Sequence, residues 1–199
     1  MPLINRDSLL TLEAYAKARQ DFRARVMAHK KNRKIHLGEN VTLIFEDELT
    51  IRYQIQEMLR AEKIFDEAGI QEELEAYGPL VPDGANWKAT MMIEFPDPAE
   101  RAARLRELIG IQDGVWVKVE AFDQIYAVAD EDLERDTGEK TSSVHFLRFE
   151  LAPSMIEALR HGAPLSMGID HPAYNAPPES VTGAVRESLL NDLTSSIAA

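Results

Sequence analysis

The short connections between its apolar segments are the feature that most limits how this chain can fold. Residues 115–120 and 143–151 alternate between apolar and other side chains, which is typical of strands with one buried face. Residues 123–129 are predicted to form a further strand, close behind the first of these. The connection between them is too short for the crossover that joins two parallel strands. We therefore expect a mostly antiparallel sheet.

Helical patterns lie at the start, in the middle and at the end of the chain. They predict a long N-terminal helix over residues 13–32, a central helix pair over 49–64 and 70–77, and a C-terminal helix over 179–193. The remaining predicted strands cover residues 34–37, 41–45, 87–95 and 165–170. Together these elements predict a single α+β domain over residues 1–199, with a mostly antiparallel sheet of about six to seven strands.

Composition excludes several classes of site. The chain has no cysteine, so it can form no disulfide, no thiolate metal site and no cysteine nucleophile. Glycine-rich phosphate loops, paired-histidine metalloprotease motifs and serine elbows are also absent from the sequence. No apolar run approaches the roughly 18 to 20 residues that span a bilayer, and the first residues do not resemble a signal peptide. We expect a cytoplasmic protein with no membrane partner.

The charge of the chain is unevenly distributed. The formal net charge is −12, yet residues 6–36 contain nine Lys and Arg side chains against three acidic ones. Residues 1–33 are therefore interpreted as a basic helical arm, which either packs on its own acidic body or extends to an acidic partner. Nucleic acid is not expected as a partner, because no recognition motif accompanies the charge. The sequence leaves the oligomeric state open, with a homodimer among the alternatives.

Three side chains are candidates for catalysis or metal binding. His145 faces inward on the strand over residues 143–151, His171 follows the strand over 165–170, and Glu57 lies on the first central helix. If that helix packs over the sheet, the three would form a His/His/Glu set suited to a divalent metal or to acid–base chemistry. The alternative is structural: His145 would be a hydrogen-bonded core histidine, and His171 would belong to a turn that ends a strand.

Other polar side chains are candidates for binding a ligand. Arginines can bind a carboxylate or phosphate through two parallel hydrogen bonds, although ordinary surface ion pairs are the alternative. The predicted ligand-binding residues are Arg52, Gln54, Gln56, Arg148 and Tyr174.

Several segments resemble the signature segments of a bacterial family of proteins with a domain of unknown function. These segments are residues 22–26, 40–46, 52–60, 144–149 and 168–174. The resemblance covers nearly the whole chain and is weakest over the charged stretch 130–140, which is predicted to be a mobile loop. Members of that family are often encoded beside rubrerythrin-like and iron–sulfur, heterodisulfide-reductase-like proteins. The resemblance thus implies a role in redox or peroxide-stress metabolism, and it carries over no catalytic residues.

Two functions follow as hypotheses. The first is an accessory or binding protein that needs no cofactor of its own and works with an iron–sulfur or rubrerythrin-like redox protein. The alternative is a small metal-dependent or acid–base enzyme centred on Glu57, His145 and His171.

Overall fold

The computed structural model describes residues 4–194, which contain six α-helices and two antiparallel sheets. The predicted α+β class is therefore confirmed. The helices are α1 (Leu12–Lys30), α2 (Glu48–Glu62), α3 (Glu67–Tyr77), α4 (Pro98–Glu107), α5 (Pro153–Arg160) and α6 (Gly183–Leu190). The strands are β1 (Lys34–Leu37), β2 (Val41–Phe45), β3 (Asn86–Ile93), β4 (Val115–Val119), β5 (Ile125–Tyr126), β6 (Val128–Ala129), β7 (Val144–Glu150), β8 (Leu165–Ile169) and β9 (Glu179–Val181). No helix among these is long and apolar enough to cross a membrane.

The strands form two sheets where the sequence predicted one. The first has the order β1-β2-β3-β7-β6 and the second β5-β4-β8-β9. The predicted strand over residues 123–129 is in fact β5 and β6, which pair with β4 and β7 in different sheets. Between them the amide of Ala127 donates to the carbonyl of Val115 at 2.8 Å. The chain thus passes from one sheet to the other within a few residues, which alternation alone cannot reveal.

The predicted C-terminal helix begins too early. Residues Glu179–Val181 form β9, which pairs with β8, and α6 starts only at Gly183. Gly183 has a φ of 57°, a left-handed conformation that separates the strand from the helix. The apolar spacing of the whole segment suits a helix, but tertiary pairing overrides it at the start.

The two sheets share the main hydrophobic core, and we call this part of the molecule the sandwich. Inward-facing residues of both sheets contribute, including Leu43, Met91 and Phe149 from the first and Val117 and Met167 from the second. Each fully buried side chain of this kind stabilises the fold by about 1.5–3 kcal/mol. Helix α6 packs on this core through Leu189, whose carbonyl accepts a hydrogen bond from the indole nitrogen of Trp87 at 2.9 Å.

The helices α2 and α3 build a second, smaller core. The buried apolar face of α2 consists of Ile51, Ile55 and Leu59, at the spacing that predicted the helix. These residues pack with Ile70 of α3 and with Ile4 and Leu9 of the N-terminal segment, among others. Helix α1 lies against α2, and only Tyr15 and Val26 of its 19 residues are buried.

Candidate functional site

The structure does not bring Glu57, His145 and His171 together. Each of the three is engaged by a different set of neighbours. Within residues 4–194, no group of three or more His, Asp and Glu side chains is arranged to hold a metal ion. The prediction that these residues converge on one His/His/Glu set is therefore wrong, because helix α2 packs on α1 and α3 and its carboxylate is directed to α1.

Glu57 joins the two helices α1 and α2. Its carboxylate accepts hydrogen bonds from Nε and Nη2 of Arg19, both at 2.8 Å, and from the hydroxyl of Tyr15 at 2.7 Å. The Arg19 hydrogen bonds lower the pKa of Glu57 to about 2, with a further contribution from Tyr15, although partial burial opposes the shift. Burial and the adjacent carboxylate raise the pKa of Tyr15 above its ordinary value. A carboxylate held this firmly ionised is a poor general base at neutral pH.

His145 is a fully buried histidine of the sandwich. Its Nδ1 lies 2.6 Å from Oδ2 of Asp130, and its Nε2 lies 2.9 Å from the hydroxyl oxygen of Thr141 and 3.1 Å from the carbonyl oxygen of Ser142. The hydroxyl of Thr141 in turn donates to Asp136. Both ring nitrogens therefore have hydrogen-bond partners within the protein. His145 is thus a core histidine with both nitrogens engaged, as the structural alternative expected.

His171 closes the turn after β8. Its Nε2 lies 3.1 Å from the carbonyl oxygen of Ile109, and its Nδ1 accepts from the amide of Ala173 at 3.2 Å. Tyr174, a predicted ligand-binding residue, is buried nearby and donates its hydroxyl to the carbonyl of Leu37. The two side chains therefore connect the turn to neighbouring segments, and their polar atoms are engaged by other residues of the described range 4–194.

Two further predicted ligand-binding residues have structural contacts of their own. Arg148 donates to the carboxylate of Glu131 at 2.8 and 2.9 Å and to Glu150 at 2.7 Å, as a surface ion pair would. Gln56 is buried, and its amide exchanges hydrogen bonds with the backbone of Leu10 at 2.7 and 3.3 Å. Gln54 is half-buried on α2 and makes no side-chain hydrogen bond with the residues that the structure describes.

A groove between α1 and α2 does bring two of the predicted residues together. Arg52 and Gln56 of α2 line this α1–α2 groove, which has a volume of about 400 Å³. From α1 come Phe22 and Arg25, whose guanidinium carbon lies 4.9 Å from the centre of the Phe22 ring; that of Arg52 lies 5.6 Å from the same centre. Ser8, Leu10, Ala18 and Asp21 complete the lining. Sequence spacing had placed Arg52 on the polar side of its helix but could not show that Arg25 would join it.

Residues 3–193 match the model of a protein family, DUF3501, whose description is "protein of unknown function". The chain belongs to the DUF3501 family. It is also similar to a protein of unknown function from Burkholderia pseudomallei K96243, whose crystal structure was determined at 1.90 Å resolution. The two are 57% identical, with a TM-score of 0.92, over 98% of this chain and 100% of the other. No curated protein matches the sequence. These likenesses establish family and fold and name no activity.

The DUF3501 protein has a buried charge network that sequence reasoning missed. Arg33 is 1% exposed and donates to the carbonyls of Phe45 at 2.8 Å and Glu46 at 3.0 Å. It also binds the carboxylate of Asp192, near the end of the described chain. The Arg33 charge helps to lower the pKa of Asp47, against an opposing effect of burial, whereas burial raises the pKa of Asp192.

A signal for that network does exist in the sequence. The inward positions of β1 are Ile35 and Leu37, and counting back by two reaches Arg33. This alternation places Arg33 on the buried side, although its neighbours make it look like part of a solvated basic run. The carboxylate that pairs with it lies 159 positions away and has no such signal.

Proposed function

We propose that this DUF3501 protein is an accessory protein that docks onto an acidic surface of a redox or peroxide-stress protein. The partner class, an iron–sulfur or rubrerythrin-like protein, comes from the family resemblance. The docking surface comes from the outward side of α1 and the residue that follows the helix, and we name it the basic α1 surface: Lys17, Arg23 and Lys31. These three side chains are exposed, and none forms an ion pair within residues 4–194.

The observation that carries this proposal is the contrast between the two sides of α1. Its inner side is neutralised internally, because Arg19 is paired with Glu57 and His29 lies against Asp47. Its outer side keeps its cations, on a protein whose formal net charge is −12. Complementary charge steers association and discourages wrong partners, and the acidic body would orient an acidic partner toward this helix.

Three charge reversals test the proposal. The variant Lys17→Glu/Arg23→Glu/Lys31→Glu should bind a purified rubrerythrin-like or iron–sulfur protein encoded in the same genome about tenfold more weakly, at an ionic strength of about 0.15 M. The matched control is Arg106→Glu/Lys118→Glu/Lys140→Glu, which reverses three exposed cations elsewhere and should stay within about twofold of the wild type.

Two results would count against the proposal. One is that neither class of redox protein binds the wild-type chain by calorimetry. The other is that the two triple variants bind equally well. Binding of a random DNA duplex, weakened by the α1 reversals and steeply by salt, would instead favour nucleic acid as the partner.

A further inference from the structure

We propose that the α1–α2 groove recognises a single carboxylate side chain, next to an apolar residue, on the docking partner. This inference rests on the proposed function and specifies what enters the site. The basic α1 surface would attract the partner, and the groove would hold it.

The first argument is that Arg25 and Arg52 keep free hydrogen-bond donors. Arg19, Arg33 and Arg148 each bind carboxylates through two or more nitrogens. In contrast, Arg25 makes no hydrogen bond with any residue from 4 to 194, and the buried Nε of Arg52 has no hydrogen-bond partner there. That Nε lies 3.3 Å from Oε1 of Glu48, but not in hydrogen-bonding orientation.

The second argument is that Phe22 holds both guanidinium groups in place. Its ring is oriented by edge contacts with Tyr15, at 6.0 Å between centres, and with Tyr53, at 5.9 Å. An arginine stacked over an aromatic ring gains about 0.5–1 kcal/mol at an exposed site and still presents N–H groups at its edge. Arg25 and Arg52 are therefore restrained before a ligand arrives, which reduces the entropy lost on binding.

The third argument concerns what accompanies the carboxylate. Leu10 is 43% exposed at the groove, and its backbone is fixed by the two hydrogen bonds to Gln56. An apolar side chain beside the carboxylate would cover Leu10 and Ala18. Asp21 also lines the groove, and its negative charge opposes each anionic group of a ligand, so that a polyanion such as nucleic acid is disfavoured more strongly than one carboxylate. One carboxylate with an apolar neighbour is the ligand that fits all of these features.

A small probe tests the groove without the partner. N-acetyl-leucyl-glutamyl amide, titrated to millimolar concentration, should cause saturable shifts in the Nε–H signals of Arg25 and Arg52 in ¹⁵N-resolved spectra. The leucyl-glutaminyl analogue, which lacks the charge, should leave both signals unchanged. Equal shifts with inorganic phosphate alone would reduce the groove to a simple anion site and overturn the inference, as would no response to the glutamyl probe.

Kinetics with the redox partner separate the groove from the basic α1 surface. Arg25→Gln/Arg52→Gln should raise koff about tenfold and leave kon within about twofold, because a contact at the centre of an interface acts mainly on dissociation. Phe22→Leu keeps both charges but removes the ring, and it should raise koff less. Arg106→Gln is the control with an exposed arginine outside the groove, and it should behave as the wild type.

The two proposals fail in different ways. If the α1 charge reversals weaken the complex but the groove variants and the glutamyl probe have no effect, the groove inference is wrong and the accessory function stands. If the probe binds the groove but no redox protein binds the chain, the groove stands as a carboxylate site and the accessory function is wrong.

Discussion

His145 in the sandwich and the two groove arginines on the α1–α2 pair differ in how their hydrogen-bonding groups are occupied. His145 lies in the sandwich core, and both of its nitrogens are occupied by protein groups. On the helix pair, both carboxylate oxygens of Glu57 accept hydrogen bonds, whereas Arg25 and Arg52 keep donors without partners among the described residues. Burial alone does not explain the difference, because Glu46, Gln112 and Arg186 also have a buried polar atom without a partner among the described residues. The helix pair differs in that its unpartnered donors belong to guanidinium groups that line a groove, where a ligand can reach Arg25 and Arg52.

Arg33 connects the two regions and should give the largest effect. Arg33→Met keeps an unbranched apolar stem but removes the guanidinium group, which leaves the carboxylate of Asp192 and the carbonyls of Phe45 and Glu46 without their donor. Breaking a buried ion pair from one side costs about 3–5 kcal/mol. Urea unfolding at neutral pH measures the loss, with the exposed Lys34→Met as a control that should change stability by about 0.5 kcal/mol or less. A loss below about 1 kcal/mol would show that water replaces the guanidinium at little cost.

The His145 network tests whether polar groups in the sandwich are purely structural. His145→Gln keeps one donor and loses a hydrogen bond to a charged group, which should lower the free energy of unfolding by about 1.5–3 kcal/mol. His161→Gln changes an exposed histidine at the end of α5 and should have almost no effect. Partner affinity, corrected for the unfolded fraction, should not change. A specific loss of partner affinity in His145→Gln would show that the sandwich takes part in binding, which contradicts a purely structural role for the His145 network.

Close packing distinguishes a glycine of the sandwich from a glycine at the end of α3. A Cβ on Gly114 would lie 2.3 Å from the backbone carbonyl oxygen of Asp170, so Gly114→Ala forces backbone movement in the sandwich. We expect a loss of about 1–3 kcal/mol in urea unfolding. Gly78, at the end of α3, has helical backbone angles and no atom within 4 Å of such a Cβ. Gly78→Ala should be neutral or stabilising by up to about 1 kcal/mol, and equal losses at both positions would contradict the difference in packing.

The sequence was informative wherever structure depends on local periodicity. Alternation identified β7 and the inward position of His145, and helical spacing identified the buried face of α2. The sequence was uninformative wherever the structure depends on which of several distant segments pair or pack together. The split of residues 123–129 between two sheets depends on which strand lies alongside each half, and the pairing of Glu57 with Arg19 depends on α1 folding against α2. A candidate site assembled from three elements therefore required packing information that no local pattern contains.

The smallest expected effect is at Glu57, where pH can separate the ion bridge from the rest of the helix interface. The folded-state pKa of Glu57 is about 2, below its ordinary value of 4.5. Ionised Glu57 therefore stabilises the fold above pH 4.5, and this contribution is lost as the pH falls from about 4.5 to about 2. Because the pair is partly exposed, we expect Glu57→Gln to cost only about 1 kcal/mol at neutral pH.

The difference in free energy of unfolding between the wild type and Glu57→Gln, measured with urea, should shrink as the pH falls from about 4.5 and vanish near pH 2. Glu62→Gln changes an exposed carboxylate of the same helix and should show no such pH dependence. If the Glu57→Gln difference is the same at both ends of the window, the bridge contributes through shape and neutral hydrogen bonds, not through charge. The α1–α2 pair would then be stabilised mainly by packing and hydrogen bonds, as the sandwich is, despite its exposed cations.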